Sequence, residues 1–115
     1  MLYSVLIYDA QDVIDALPEE EVERRLNVHR DFQKKHAAKL GPIAKLLPPT
    51  SAVTLKGGPI ENTVLDGPFA ETKEQLLGFY LIECESLEEA IETARQLPHE
   101  TGSLEVRPVE WFNGD

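Results

Sequence analysis

The sequence predicts an α+β sandwich with the element order βαββαβ. Three observations carry this reading. Short apolar runs rich in β-branched and aromatic residues open the chain, recur in its middle and close it. Two segments with helix-start signatures lie between them. The runs are apolar on both sides, so one sheet face can pack under helices while the other needs a further cover. At 115 residues the chain is one domain, spanning residues 1–115, with enough length to bury a core.

Each element has its own justification. Residues 2–8, Leu-Tyr-Ser-Val-Leu-Ile-Tyr, read as a buried central strand. Residues 9–17 read as a loop or a loose helical turn. Pro18 before Glu19, Glu20 and Glu21 is a helix start, because proline fits the first turn and acids complement the helix dipole. That helix is expected over 18–40, with Gly41-Pro42 as its stop. At about 100° per residue, Val22, Leu26, Ala37 and Leu40 share a face with His29, Gln33 and His36, and Phe32 lies at its edge.

Two apolar segments, 43–47 and 52–56, flank Pro48-Pro49-Thr50 and read as edge structure. Lys56-Gly57-Gly58-Pro59 is a turn leading to a strand over 60–65, which ends at the turn Asp66-Gly67-Pro68. Residues 70–75 are polar and read as a loop or one helical turn, and 76–84 is a strand. Ser86 with Glu89 forms a capping box for a second helix, with Leu87, Ala90, Ile91 and Ala94 inward and its end before Pro98. Residues 104–109 are the last strand. The order is that of a ferredoxin-like sandwich with helices on one face. The uncovered face predicts a second copy packed sheet to sheet about a two-fold axis.

Composition excludes several classes. Acidic residues number 21 and basic residues 11, a formal net charge of −10. An acidic surface of this kind opposes nucleic-acid binding, since phosphates need a basic face. No run approaches the roughly 20 apolar residues of a membrane span, and no secretory leader is visible. Cys84 stands alone, which rules out an internal disulfide framework and a cysteine zinc cluster. A small acidic domain of the cytoplasm is the expectation.

The candidate site residues each carry two readings. Asp66 is either a pocket carboxylate acting as general base, or a turn residue accepting backbone N–H bonds. His29 is either a proton shuttle on the inward helix face or a satisfied interface histidine. Gln33 and His36 on the same face suggest a polar pocket, because unpaired buried polar groups are costly. Arg107 and Lys73 are candidates for holding an anionic group, with an ion pair and a solvated loop lysine as the plain alternatives. Tyr8, at the end of the first strand, either bonds into the cleft or belongs to a dimer surface. Cys84 lies between Glu83 and Glu85, which disfavours its thiolate and marks it as packing. His29 and His36 are seven residues apart, about 10 Å along a helix axis, too far to share one metal ion. No metal and no cofactor are expected.

The run Asp66-Gly67-Pro68-Phe69-Ala70-Glu71-Thr72-Lys73-Glu74-Gln75 is specific in type. With it go Gly78-Phe79-Tyr80-Leu81-Ile82, Ser86-Leu87-Glu88-Glu89-Ala90, Val106-Arg107-Pro108-Val109 and the Leu6-Ile7-Tyr8 strand. Together these resemble the YCII-related family, and more closely its branch named for the Asp-Gly-Pro-Phe motif. The resemblance implies a ferredoxin-like fold that dimerises as an α+β barrel. It implies two functional classes. A minority of members looks enzymatic, with a dehydrochlorinase of chlorinated hydroxyhydroquinone as the example. Other members of the branch sit beside alternative sigma factors, which implies a regulatory role. In the similar YCII branch a His–Asp pair in a cleft is proposed as catalytic. Here that histidine position falls near Phe32, His29 lies one turn earlier, and the acidic member corresponds to Asp66. The first expectation is therefore a cofactor-independent enzyme for a small aromatic or enolisable substrate. Asp66 and His29 would move protons, and Tyr8, Gln33, Phe69, Lys73 and Arg107 would line the cleft. The alternative is a non-catalytic ligand-binding or regulatory homodimer, with a sigma factor as partner.

Overall fold

The computed structural model of the chain describes residues 1–59 and 63–114. Strand β1 (Leu2–Asp9) leads through the short helix α1 (Gln11–Asp15) to α2 (Glu19–Lys35). Strands β2 (Leu40–Lys45), β3 (Val53–Lys56), β4 (Thr63–Asp66) and β5 (Gln75–Glu83) follow, then helix α3 (Leu87–Ala94) and strand β6 (Ser103–Pro108). Among the described residues the strands form an antiparallel sheet ordered β2-β5-β1-β6 and a separate ribbon of β3 and β4. With the ribbon set aside, the order of elements and of strands is compatible with a ferredoxin-like α+β fold.

The register sorts side chains between the two sheet faces. Val5 pairs with Tyr80 and Val106, and Tyr3 with Ile82, so these point one way. They form the core with Phe32 of α2 and Ala90 and Ala94 of α3. Leu6 and its partners Phe79 and Glu105, with Ser4, Leu81 and Arg107, point to the other face. The helices' buried residues thus cover one face, and the other is partly apolar.

The long helix stops earlier than its sequence pattern suggests. It ends at Lys35, a 3-10 turn spans Ala37–Lys39, and Leu40 already pairs with Ile82 in the sheet. Gly41-Pro42 is therefore no helix stop. It forms an irregularity in β2, where the register shifts between Leu40 and Ile43. Proline lacks an N–H to give the ladder, and β2 is an edge strand, where that omission is tolerated. Gly41 also allows close approach, since a Cβ there would lie 3.3 Å from the Leu81 Cβ. With Ala37 and Leu40 out of the helix, the packed centre of α2 is Phe32, at 3% exposure.

Helix α3 is capped as expected at Ser86, whose Oγ accepts the Glu89 N–H at 3.1 Å. The reciprocal bond runs to the Glu85 N–H, 2.7 Å from Glu89 Oε2, rather than to Ser86 itself. Its buried stripe is Ala90, Thr93 and Ala94, while Leu87 and Ile91 lie on the exposed flank. Small residues bring this helix close to the sheet, and Thr93 can be buried because its hydroxyl donates to the Glu89 carbonyl at 2.8 Å. The strand expected over 60–65 is seen from Thr63. Ile60, Glu61 and Asn62 lie outside the described residues.

Candidate functional site

A cavity of about 410 Å³ opens between α1, α2 and the helix-covered face of the sheet. Gly78 is part of its lining. Gly78 sits in β5 between Ile7 of β1 and Lys45 of β2. A Cβ at Gly78 would lie 2.6 Å from the Ala44 carbonyl oxygen and 3.3 Å from the Lys45 Cα. Glycine therefore lets the β2 backbone approach β5 this closely. The walls are largely apolar, with Ile14, Leu17, Val22, Leu26 and Ile43 among them. The stripe Val22, Leu26, His29 and Gln33 of α2 thus faces a cavity. That explains how Val22 and Leu26 remain 46% and 44% exposed on an inward-looking helix face.

Three polar side chains converge on this wall. His29 Nδ1 lies 2.8 Å from the Tyr80 hydroxyl, and Gln33 Nε2 donates to the same oxygen at 3.0 Å. Helical spacing of four residues stacks His29 and Gln33 one above the other. The His29 and Tyr80 rings are within 8° of parallel with centroids 5.9 Å apart, and they meet through this edge-to-edge hydrogen bond. Phe32 holds Tyr80 from the side, in an edge contact with centroids 5.2 Å apart.

Protonation follows from the surroundings. Burial pushes the His29 pKa down, and the nearby positive Lys45 pushes it further the same way. Burial raises the Tyr80 pKa, opposed by the Gln33 hydrogen bond. Both groups are then neutral near pH 7, so the phenol donates to His29 Nδ1 and the ring proton resides on Nε2. Tyr80 accepts from Gln33 and keeps one acceptor site. The pair can pass a proton to or from a bound molecule without creating a buried charge at rest.

A second polar group borders the cavity. Asp9, buried at the end of β1, accepts the Ala10 N–H at 2.7 Å and the Thr101 hydroxyl at 2.7 Å. Arg25 Nη1 donates to the Thr101 hydroxyl oxygen at 3.1 Å, and Arg25 Nε donates to Glu21 at 3.0 Å. The link depends on Gly102, at φ +76°, where a Cβ would lie 2.6 Å from the Asp9 Cγ. The acidic first turn of α2 thus anchors a cavity residue. Hydrogen bonds from Arg24 and Arg25 hold the Glu21 carboxyl down to about 2.

The structure brings His29 and Gln33 together and places Tyr8 at the cavity border. The Tyr8 hydroxyl itself turns to Glu105, 3.3 Å away on the far face of the sheet. His36 leaves the stripe and meets Gln96 at 2.9 Å. Asp66 ends β4 opposite Val53, exposed and outside the cavity lining. Phe69 is 79% exposed, Lys73 is exposed in the loop before β5, and Arg107 pairs with Glu105. Gln75 has a structural task that accounts for its place at the end of the motif. Its amide donates to the carbonyls of Ala70 at 2.8 Å and Thr72 at 2.9 Å, stitching the loop. The Cys84 thiol is buried, and burial is the first cause raising its pKa. Among the described residues, no group of three or more His, Cys, Asp or Glu is placed to hold a metal ion.

Sequence reading missed Tyr80, Asp9, Arg25, Lys45 and Thr101. One signal was present. Gly78, Tyr80 and Ile82 alternate on one strand face, and a glycine inside an apolar strand marks a place where something approaches closely.

Comparison with known proteins covers nearly the whole chain. A family model described as YCII-related domain matches residues 1–113. An uncharacterised protein of Rhizobium meliloti (strain 1021) is 53% identical over 117 residues, covering 97% of this chain and 94% of that protein.

Proposed function

The chain belongs to the YCII-related family, and from that premise we propose that its cavity is a small-molecule site run by acid/base chemistry without a cofactor. The observation that supports this most is the Tyr80 hydroxyl. It lies in the wall of an apolar cavity, bonded to a neutral histidine and a glutamine. A core tyrosine needs one partner to satisfy its hydroxyl. The second partner orients the phenol and leaves His29 to take or return its proton. In this reading Tyr80 is the group that touches the ligand, and His29 and Gln33 position it. Asp66, exposed at the end of β4 and outside the cavity lining, is not used in this reading. The finer placement in the branch with the Asp-Gly-Pro-Phe motif rests on residues 66–75.

The reading includes a homodimer. The β3–β4 ribbon leaves Val53, Leu55 and Val64 between 58% and 66% exposed. A two-stranded ribbon with bare apolar side chains gains stability when a second surface covers it.

The test is a thermal-shift screen with phenols, hydroxyquinols and small carboxylates, because a ligand that binds only the folded state raises the melting temperature. A hit should keep its shift in a Phe69→Ala variant and lose most of it in Leu26→Trp, which puts a larger ring into the cavity wall beside Tyr80. A product found with wild type should form far more slowly with Tyr80→Phe. A hit indifferent to Leu26→Trp would place the site elsewhere and end this reading.

A further inference from the structure

Lys45 is the cation of the cavity wall that the protein leaves to something else. It ends β2, pairs with Gly78 across the ladder and lines the cavity. The other cation in the lining, Arg25, is tied to Glu21 and Thr101. The buried carboxylate in the lining, Asp9, is satisfied by Ala10 and Thr101. Among the described residues the ion pairs involve Arg24, Arg25, Lys39, Arg95, Arg107 and the amino terminus, and Lys45 is in none of them. Other surface cations are unpaired too, but of the two lining cations Lys45 is the one without an ion pair among the described residues. An ammonium group that no described carboxylate pairs with raises the local potential of the wall it lines. Lys45 is close enough to His29 for that potential to be felt there.

The ladder sets the register. Lys45 pairs with Gly78, and Ile43, two residues before it, pairs with Tyr80. Gly78 and Tyr80 are therefore one side-chain repeat apart on the same face of β5, about 6.6 Å. Lys45 and Tyr80 thus border neighbouring positions of one cavity wall. Gly78 lines the cavity between the two groups.

We propose that the cavity takes a compact organic carboxylate, its anionic end on Lys45 Nζ and its apolar body over Gly78 against Leu26 and Ile43, which presents the body to the Tyr80 hydroxyl. This rests on the reading of the cavity as a small-molecule site, and it names the ligand class. Lys45 is a specificity residue: it selects charge, and Tyr80 meets whatever the body carries.

The experiment is calorimetric titration of the full chain with benzoate and with its neutral isostere benzamide, at pH 7.5 and low salt. Four proteins are compared: wild type, Lys45→Gln, Lys45→Arg and Leu26→Trp. Lys45 is an exposed strand-end residue, so its variants keep the fold. Benzoate should bind wild type about tenfold more tightly than benzamide, the size of one charge-assisted hydrogen bond. Lys45→Gln should weaken benzoate about tenfold and leave benzamide unchanged, Lys45→Arg should keep the preference, and Leu26→Trp should weaken both. If benzamide matches benzoate, or Lys45→Gln changes nothing while Leu26→Trp still blocks both, the carboxylate assignment is overturned and the cavity reading stands. If neither compound binds, or Leu26→Trp affects neither, both are overturned.

Discussion

Two regions of this molecule use similar residues to opposite ends. On the helix-covered face of the main sheet, Val5 and Ile82 are fully buried, and Tyr80 and Phe32 are 4% and 3% exposed. In the β3–β4 ribbon, Val53, Leu55 and Val64 are as apolar but lie between 58% and 66% exposed, and Phe69 beyond it is 79% exposed. Strand propensity is equal in both places. The difference is that α2 and α3 bury residues against the first surface, while among the described residues the ribbon's Val53, Leu55 and Val64 stay uncovered. The first region is finished within one chain, down to a partner for the Tyr80 hydroxyl. The second exposes what a soluble surface ordinarily hides.

Two phenylalanines test this contrast with the largest effect. Phe32→Ala should lower unfolding stability by about 3–5 kcal/mol, since it removes a ring from the core and leaves a cavity. Phe69→Ala should change it by less than about 0.5 kcal/mol, as for a surface substitution. Urea unfolding of both variants checks the pair. A Phe69→Ala cost of the same rank as Phe32→Ala would show that the ribbon region is buried in an assembly, and the contrast would then hold for an isolated chain alone.

The assembly can be asked directly, with an effect that depends on concentration. Wild type should run near twice 12.9 kDa in gel filtration with light scattering. Leu55→Asp with Val64→Asp should shift it toward the single-chain mass, because buried unpaired charges oppose association. Benzoate binding in the cavity should be retained in the shifted protein. A wild-type single chain at high concentration would remove the dimer from the reading and leave the ribbon unexplained.

How far the sequence spoke differs between these regions in the same way. Periodicity found the β1, β5 and β6 strands, because strands buried on one face and apolar on the other leave little else to be. The Ser86–Glu89 box found α3 within a residue or two, since a cap is a local interaction between neighbours. Gly41-Pro42 misled because it stops a helix and bulges an edge strand by the same local chemistry, and only the pairing of Leu40 with Ile82 decides between them. At the site, His29 and Gln33 were legible as a polar stripe on one helix. Their meeting point was not, since Tyr80 is 51 residues from His29 and reads as one more aromatic in a strand. Lys45 and Asp9 were hidden for a related reason. Each is an ordinary strand-end charge until the ladder sets it beside Gly78 or the Gly102 turn folds over it.

A smaller effect probes the finished region alone. Tyr80→Phe removes the oxygen that Gln33 and His29 share, leaving a donor and an acceptor half-buried without their partner, at a cost of about 1–3 kcal/mol. The cost should fall on stability measured by denaturant and should leave the dimer mass unchanged. A dimer lost with Tyr80→Phe would mean that the two regions are coupled.

The smallest effect is a pH slope with a definite sign. In the unfolded chain a histidine titrates at about 6.5. In the folded chain burial, and then the charge of Lys45, hold His29 below that value. As pH falls through the unfolded value the unfolded state takes up a proton before the folded state does, so unfolding is favoured. The contribution of a neutral His29 is therefore fully present above the unfolded value and is lost as pH falls toward the folded one. His29→Gln keeps a polar group beside Tyr80 and cannot titrate, so its stability should fall less than that of wild type over that window, while the two run parallel above pH 7.5. Bound benzoate should reverse part of this difference, because its negative charge at Lys45 offsets the field that depresses His29. A wild-type slope no steeper than that of His29→Gln would mean that water reaches the imidazole freely, and Tyr80 would then lose the neutral acceptor on which its proton transfer depends.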